Sequence, residues 1–577
     1  MSNYSVRLMM RAHLLALLVF TGGAGAMAQK PGPSPTPPGS PTPSQPAPQE
    51  PRQPNFPDVQ QQPVPPLPDL TRMGVSGQML TLSMSDAIRR ALQNNNDIEV
   101  ARDDVRVNEQ RLRGLYGVYD PVFSMTPTID QRISPVTSIF AGGTSSGTVS
   151  NTTLSVNPAL SKTFQTGGGA YSLTFNNSRI TTSATSSTLN PFFSSSLVLS
   201  YSQPLLRNRS IDSNRHAIYV QKKVIAQSDS DFRARTISII AQVQAAYWNL
   251  VFALKNQQNQ LDSLNLSRQN MRNIEASISA GAKAPLDRAQ VLTDIARRES
   301  ALFVATQSVT TAENSLKQLM LKDPQSPDWS AQITPTDTPV FDTTPVNLSA
   351  ALDEAHKNRP ELARLNLQKE INGLDLRYYR NQTKPQVDLV GAYTNTGLAG
   401  TKAVCTQANP ANCPVVPANL IGAYGQDLSN LGSFGTREIN VGVAISIPLR
   451  GRTAKANLAI AEIQKSQLDA SYRSQGQSVE MDVRNAAQAV DTAQKRVVAS
   501  RLARESAEQQ LDGEQKLYDV GRSTTFLLLQ RQNDLTVART NELQSQTDYN
   551  KALADLQRAT SATLRLNNVV VQDPTKP

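Results

Sequence analysis

The chain has 577 residues, of which 39% are hydrophobic but only 5% aromatic, and it carries a formal charge of +10 with only three histidines. That length is more than one domain needs, and so few aromatics and histidines argue against a compact enzyme. The basic residues are interleaved with acids along helical stretches rather than gathered into a stripe, which reads as a solvated surface and not as a nucleic-acid interface.

The N-terminus reads as a secretory signal. Arg7 and Arg11 precede the apolar run Leu14 to Phe20, and small residues follow up to Ala28. The expected leader is 1–28, and its apolar run is too short for a membrane-spanning helix. Gln29 rather than cysteine follows, so no lipid anchor is expected. Residues 30–70 contain sixteen prolines among Ser, Thr and Gln. This composition predicts an extended tether, assigned to 29–75.

Two stretches then align without a gap at an offset of 264 residues, one ending at Pro121 and the other at Pro385. Ala87, Ile88, Ala91, Asn94, Asp97 and Ile98 match Ala351, Leu352, Ala355, Asn358, Glu361 and Leu362. Each predicts a helix, a break at the Asn-rich or Asn-Arg-Pro turn, and a second helix stopped before proline. The expected organisation is a first repeat over 76–345, a second over 346–566 and a tail over 567–577.

Strand patterns follow each proline. The segment 437–450 alternates: Ile439, Val441, Val443, Ile445 and Ile447 on one side, Asn440, Gly442, Ala444 and Ser446 on the other. That is a period-two strand, long enough when tilted to cross hydrocarbon, with the five apolar residues facing lipid. Leu197, Leu199 and Tyr201 alternate in the same way in the first half. Strands starting at Pro121 and Pro385 complete four per chain. Two further segments, 152–164 and 170–177, flank Gly167 to Gly169 as a hairpin that fits either a loop excursion or two more wall strands. The apolar faces have no second layer to pack on, and backbone in lipid must be fully paired, so the strands must close as a barrel. Four strands do not close alone, and several chains are required. Cys405 and Cys413, with seven residues between them, read as a disulfide closing a small loop, since a metal site would need further ligands.

Between the strand regions lie two long helical patterns, from about 214 to 280 and from about 452 to 520. In the first, Leu250, Leu254, Leu261, Leu264, Met271 and Ile278 form a coiled-coil-like seam. At about 1.5 Å per residue each helix spans on the order of 100 Å. Gly281 and Gly521, 240 residues apart, mark the tips of antiparallel hairpins, with glycine ending one helix and Pro285 opening the first return helix.

This order resembles the TolC-like outer-membrane efflux channel family. The carrying residues are the turns 94–98 and 358–362, "QPLL" at 203–206, "IPL" at 447–449, "AAYWNLV" at 245–251 and "YDVG" at 518–521. The resemblance implies an α+β membrane protein: a homotrimeric outer-membrane β-barrel of twelve strands, continued by a long periplasmic α-helical barrel, with two internal repeats per chain. It also implies an exit duct in the outer membrane of a Gram-negative-type bacterium, conducting passively for an inner-membrane transporter through a periplasmic adaptor. No enzyme activity, catalytic residue, cofactor, resident metal or nucleic-acid partner is implied. A periplasmic coiled-coil scaffold without a pore is the rival reading; it would need no lipid-facing strands.

The family closes its mouth by polar links between neighbouring hairpin tips. Asp287 falls at the family's acidic tip position, six residues after Gly281, and Tyr518 at its tip tyrosine. Arg522 lies one position before the expected basic partner, where Ser523 stands. Two mouth aspartates of the family are replaced by Leu527 and Gln530, so an acidic cation-binding ring is not expected, and Leu527, Leu528 and Leu529 are candidates for an apolar constriction.

Overall fold

The computed structural model describes residues 70–136, 142–143, 146–404 and 415–570. The expected leader, nearly all of the expected tether, and Cys405 and Cys413 lie outside the described residues. Residues 70–75 of the expected tether are described. Arg72 forms an ion pair with Glu313, both side chains being almost fully buried, so the packed chain starts by Arg72 rather than at residue 76. Glu313 also pairs with Lys317 at 2.9 Å. The Lys317 ammonium donates to the carbonyls of Trp329 and Ala331 at 2.7 and 2.6 Å. The Glu313 carboxylate is thus shared by two buried cations, which offsets the cost of burying their charge.

A short strand, β1 (Met79–Leu82), leads into α1 (Met84–Asn94) and α2 (Asn96–Tyr116). Ser83 caps α1 by accepting from the Asp86 amide, and Asn95 caps α2 by accepting from the amides of Asp97 and Ile98. The Asn95 side chain also donates to the Leu319 carbonyl at 3.0 Å, tying the break between the helices to a distant helix end. Strands β2 (Val122–Pro135), β3 (Thr148–Thr163), β4 (Ala170–Thr182) and β5 (Leu189–Pro204) follow. They lead into α3 (Ser213–Ser279) and its return helix α4 (Pro285–Met320). β6 (Gln332–Pro335), which pairs in parallel with β1, precedes α5 (Leu348–Asn358) and α6 (Pro360–Gln382). The chain then forms β7 (Gln386–Lys402), a short helix α7 (Tyr424–Gly432) and β8 (Arg437–Ser446). It ends in α8 (Arg452–Asp519), α9 (Thr525–Ala559) and α10 (Thr563–Leu566).

The main sheet has six strands in the order β2-β3-β4-β5-β7-β8, every neighbouring pair antiparallel. The hairpin at 152–177 is therefore neither loop nor appendage but the second and third strands of this sheet. Four strands per chain, the number carried by the resemblance, is corrected to six. The Pro-stopped helices α2 and α6 feed β2 and β7, because a residue before proline is pushed out of helical geometry into extended backbone. α7 was not anticipated.

Helices α3 and α8 have 67 and 68 residues and pack against α4 and α9. Around the middle of α3 lies the main core: Ile239, Ile240, Val243, Tyr247 and Leu250 are buried with Ala87, Ile88 and Ile98 and with Val309, Leu316 and Met320 of α4. Tyr247 and Trp248 of "AAYWNLV" meet edge-on at 5.6 Å. The Tyr247 hydroxyl donates to Asp337 at 2.6 Å. Burial, reinforced by this carboxylate partner, pushes the phenol up to about 12. Nearer the tip the α3–α4 seam turns polar. Arg298 pairs with Asp294 at 2.6 Å inside it, and Ser263 and Ser267 of α3 complete that network. Arg268 reaches Glu299 at 2.7 Å.

Candidate functional site

Two regions hold the residues singled out from the sequence: the exposed face of the six-stranded sheet and the two hairpin tips.

The register assigns each strand's faces. Ile445, Val443, Val441 and Ile439 of β8 lie opposite Val387, Leu389, Gly391 and Tyr393 of β7. Tyr393 and Gly391 lie opposite Leu199 and Tyr201 of β5, which lie opposite Leu173 and Tyr171 of β4. Leu173 lies opposite Leu160 of β3, and Leu160 opposite Phe123 of β2. A row of mainly apolar residues thus runs across all six strands. Its outer rows are bare: Ile439, Val441, Val443 and Ile445 are 68, 73, 54 and 65% exposed. Ile447 is exposed too but falls just past the end of β8, which closes at Ser446. The reverse face carries Thr126, Ser155, Ser172, Thr174, Ser200, Thr394 and Asn440, with few charges. Hydrophobic residues left outside and hydroxyls on the other side invert the usual order of a soluble sheet, and fit a wall with lipid on one side and water on the other.

The apolar face carries a polar patch, formed by Asn177, Ser195 and Asn395, towards the ends of the strands far from the long helices. It is where α7 docks. Asp427 of α7 is fully buried and accepts from the Ser195 hydroxyl, while the Tyr424 hydroxyl donates to Asn177 at 2.7 Å. Asn395 donates to the Leu431 carbonyl. α7 therefore shields polar groups that hydrocarbon would otherwise penalise. The spacing of Tyr424, Asp427 and Leu431, at three and seven residues, was the available signal for this helix, but the segment is too short for periodicity to stand out.

At the tips, Gly281 and Gly521 have φ of +71° and +76°. The amides that follow close the helix ends in the same way, Ala282 to the Ser277 carbonyl and Arg522 to the Leu517 carbonyl, both at 2.8 Å. A left-handed residue is required at both positions, and glycine adopts it without strain. Pro285 opens α4, and Thr524 caps α9 by accepting from the Leu527 amide.

The two tips touch. The Lys283 ammonium sits 4.4 Å from the centre of the Tyr518 ring, a cation–π contact that sequence reasoning missed because neither residue is near the other in the chain. Asn270 of α3 donates to Gln532 of α9 at 2.7 Å. A cleft of about 410 Å³ lies between the tips, lined by Ile274, Lys283, Tyr518, Thr525 and Leu528 among others. Asp287 and Arg522 are not brought together: among the described residues no ion pair joins them within the chain, and Arg522 points into solvent. Arg288, beside Asp287, pairs instead with Glu275 at 3.2 Å, and Ser523 donates to Glu514. Of the candidate apolar constriction, Leu528 and Leu529 are only 3 and 9% exposed, packed inside the tip and unable to line a passage. Leu527, Phe526 and Gln530 remain on the surface.

Residues 351–562 match the family model of outer membrane efflux proteins. No curated protein sequence matches the chain. Among solved structures, the chain is similar to a membrane protein from Pseudomonas aeruginosa, at 17% identity and a TM-score of 0.58, covering 83% of this chain and 93% of that one. It is also similar to the Campylobacter jejuni CmeC outer membrane channel, at 15% identity and a TM-score of 0.56, covering 84 and 89%. The open state of the Neisseria gonorrhoeae MtrE outer membrane channel matches at 17% identity and a TM-score of 0.55, covering 83 and 88%. By sequence over residues 351–562 this chain is similar to outer membrane efflux proteins, and over most of its length it shares the fold of solved outer membrane channels.

Proposed function

We propose that the chain is one of three identical subunits of an outer-membrane efflux channel, an exit duct built from two repeats per chain. It conducts passively; an inner-membrane transporter supplies the energy and a periplasmic adaptor joins that transporter to the hairpin tips. The observation that carries this reading is the apolar face that crosses every strand of an open sheet whose strands continue into helices of 67 and 68 residues. An open sheet in lipid leaves unpaired backbone groups at β2 and β8, which only other copies can satisfy. A pore-free scaffold gives no reason for such a face.

Gly281, Asp287, Tyr518, Gly521, Arg522, Leu527 and Gln530 are assigned to the periplasmic mouth. Since Asp287 and Arg522 do not meet within one chain, their link runs between the tips of neighbouring copies. The test is purification. The mature chain should require detergent, migrate as a trimer, and restore export in a strain lacking its own outer-membrane duct when supplied with its adaptor and transporter. A monomer that dissolves in plain buffer would end this reading.

A further inference from the structure

Four strand ends in this chain join helices: α2 to β2, β5 to α3, α6 to β7 and β8 to α8. The hairpin β3–β4 joins none. Its turn, Phe164 to Gly169, lies at the helix end of the sheet, where the Gln203 side chain donates to the Gly167 carbonyl at 2.9 Å. The hairpin is nonetheless constructed like the rest of the wall. β3 and β4 have 16 and 13 residues and pair with both neighbours along most of their length. Leu154, Leu160, Leu173 and Phe175 continue the apolar face, and Ser155, Ser161, Thr174 and Asn176 the hydroxyl- and amide-bearing one. On the apolar face, charge appears only at the two ends of the hairpin, Lys162 beside the turn and Arg179 at the far end. Basic side chains bracketing an apolar band are placed to reach the two membrane–water interfaces.

We infer that all six strands of every copy stand in the membrane, so that the three copies of the function proposed above close a barrel of eighteen strands. An even number per copy sets β8 antiparallel to β2 of the next, and their apolar rows run on across the joint. With strands about 4.8 Å apart and tilted about 40°, eighteen strands enclose a backbone radius of about 18 Å, against about 12 Å for twelve. Each copy still supplies only its two long hairpins to the helical shaft. The membrane section is thus wider than the shaft below it, and cargo size is limited at the hairpin tips. The water-facing side of the added strands is uncharged, so the extra width carries no charge selection.

The experiment uses the full chain with Cys405→Ser and Cys413→Ser and single cysteines at Leu160, Ser161, Thr174, Phe175, Val443 and Ala444. Each variant is purified, reconstituted in lipid vesicles and exposed to a membrane-impermeant maleimide. The expected result is labelling at Ser161→Cys, Thr174→Cys and Ala444→Cys at least tenfold faster than at Leu160→Cys, Phe175→Cys and Val443→Cys. If the β3 and β4 sites label equally on both faces while Val443→Cys stays protected, the hairpin lies outside the wall and the inference fails, with the channel reading intact. If Val443→Cys labels as fast as Ala444→Cys, the membrane reading itself fails and takes the inference with it. End-on electron micrographs supply a second measure: a backbone diameter of about 36 Å supports eighteen strands and one of about 24 Å refutes them.

Discussion

Replacing Val443 with arginine sets a charge at the centre of the apolar row Ile439 to Ile447. In one chain Val443 is 54% exposed. If that surface faced water, the substitution would alter stability by no more than about 0.5 kcal/mol, as exposed substitutions do. Facing the middle of a bilayer, it costs about 2–4 kcal/mol per copy, or about 6–12 kcal/mol for an assembly of three. Ala444 is the internal control. It is the next residue on the same strand, points to the opposite face and lies across from Asp388 of β7, so an arginine there gains an acidic neighbour in water. Both variants add the same charge to the same strand, and effects on backbone pairing largely cancel between them. The assay is urea unfolding of each variant refolded into lipid vesicles, followed by heat-modified migration on gels. Val443→Arg should unfold at markedly lower urea, with Ala444→Arg close to the parent. Equal midpoints for the two variants would refute the argument, because no soluble or membrane-free arrangement explains the difference and no membrane arrangement lacks it.

Two further outcomes concern the core and the mouth. Tyr247→Phe removes the hydroxyl donor of the half-buried Asp337 carboxylate, which keeps the Met84 amide, and should cost about 0.5–1.5 kcal/mol at neutral pH. Because the folded phenol is raised to about 12, above its unfolded value, its contribution is complete below about pH 10 and disappears as pH rises through about 12. Thermal melts should therefore show a loss of stability between pH 10 and 12 that is smaller in the variant. At the mouth, single-channel conductance of reconstituted Asp287→Ala and Arg522→Ala assemblies should rise, modestly, since each exposed pair is worth about 0–1 kcal/mol. Unchanged conductance in both would remove the polar link from the closing mechanism.

What the linear chain determined is what depends on neighbours a few residues apart. Alternation places Val441 and Val443 on one face of a strand because successive side chains point to opposite sides. Gly281 and Gly521 end helices because the cap conformation is a property of a single residue. Pro121 and Pro385 stop helices through a clash with the residue before them. The duplicated order of such signals pointed to the family before any contact was known. Only the tertiary structure decided what depends on residues far apart. Alternation in 152–177 left the hairpin's place open until β3 paired with β2 and β4 with β5, making it part of the main sheet. Leu527, Leu528 and Leu529 are alike in sequence, yet packing against the other hairpin buries two and leaves one outside. Arg72 reads as tether until Glu313, 241 residues away, draws it into the fold. The Lys283–Tyr518 contact, and the separation of Asp287 from Arg522, arise from how two hairpins lie side by side, and local periodicity carries no record of that.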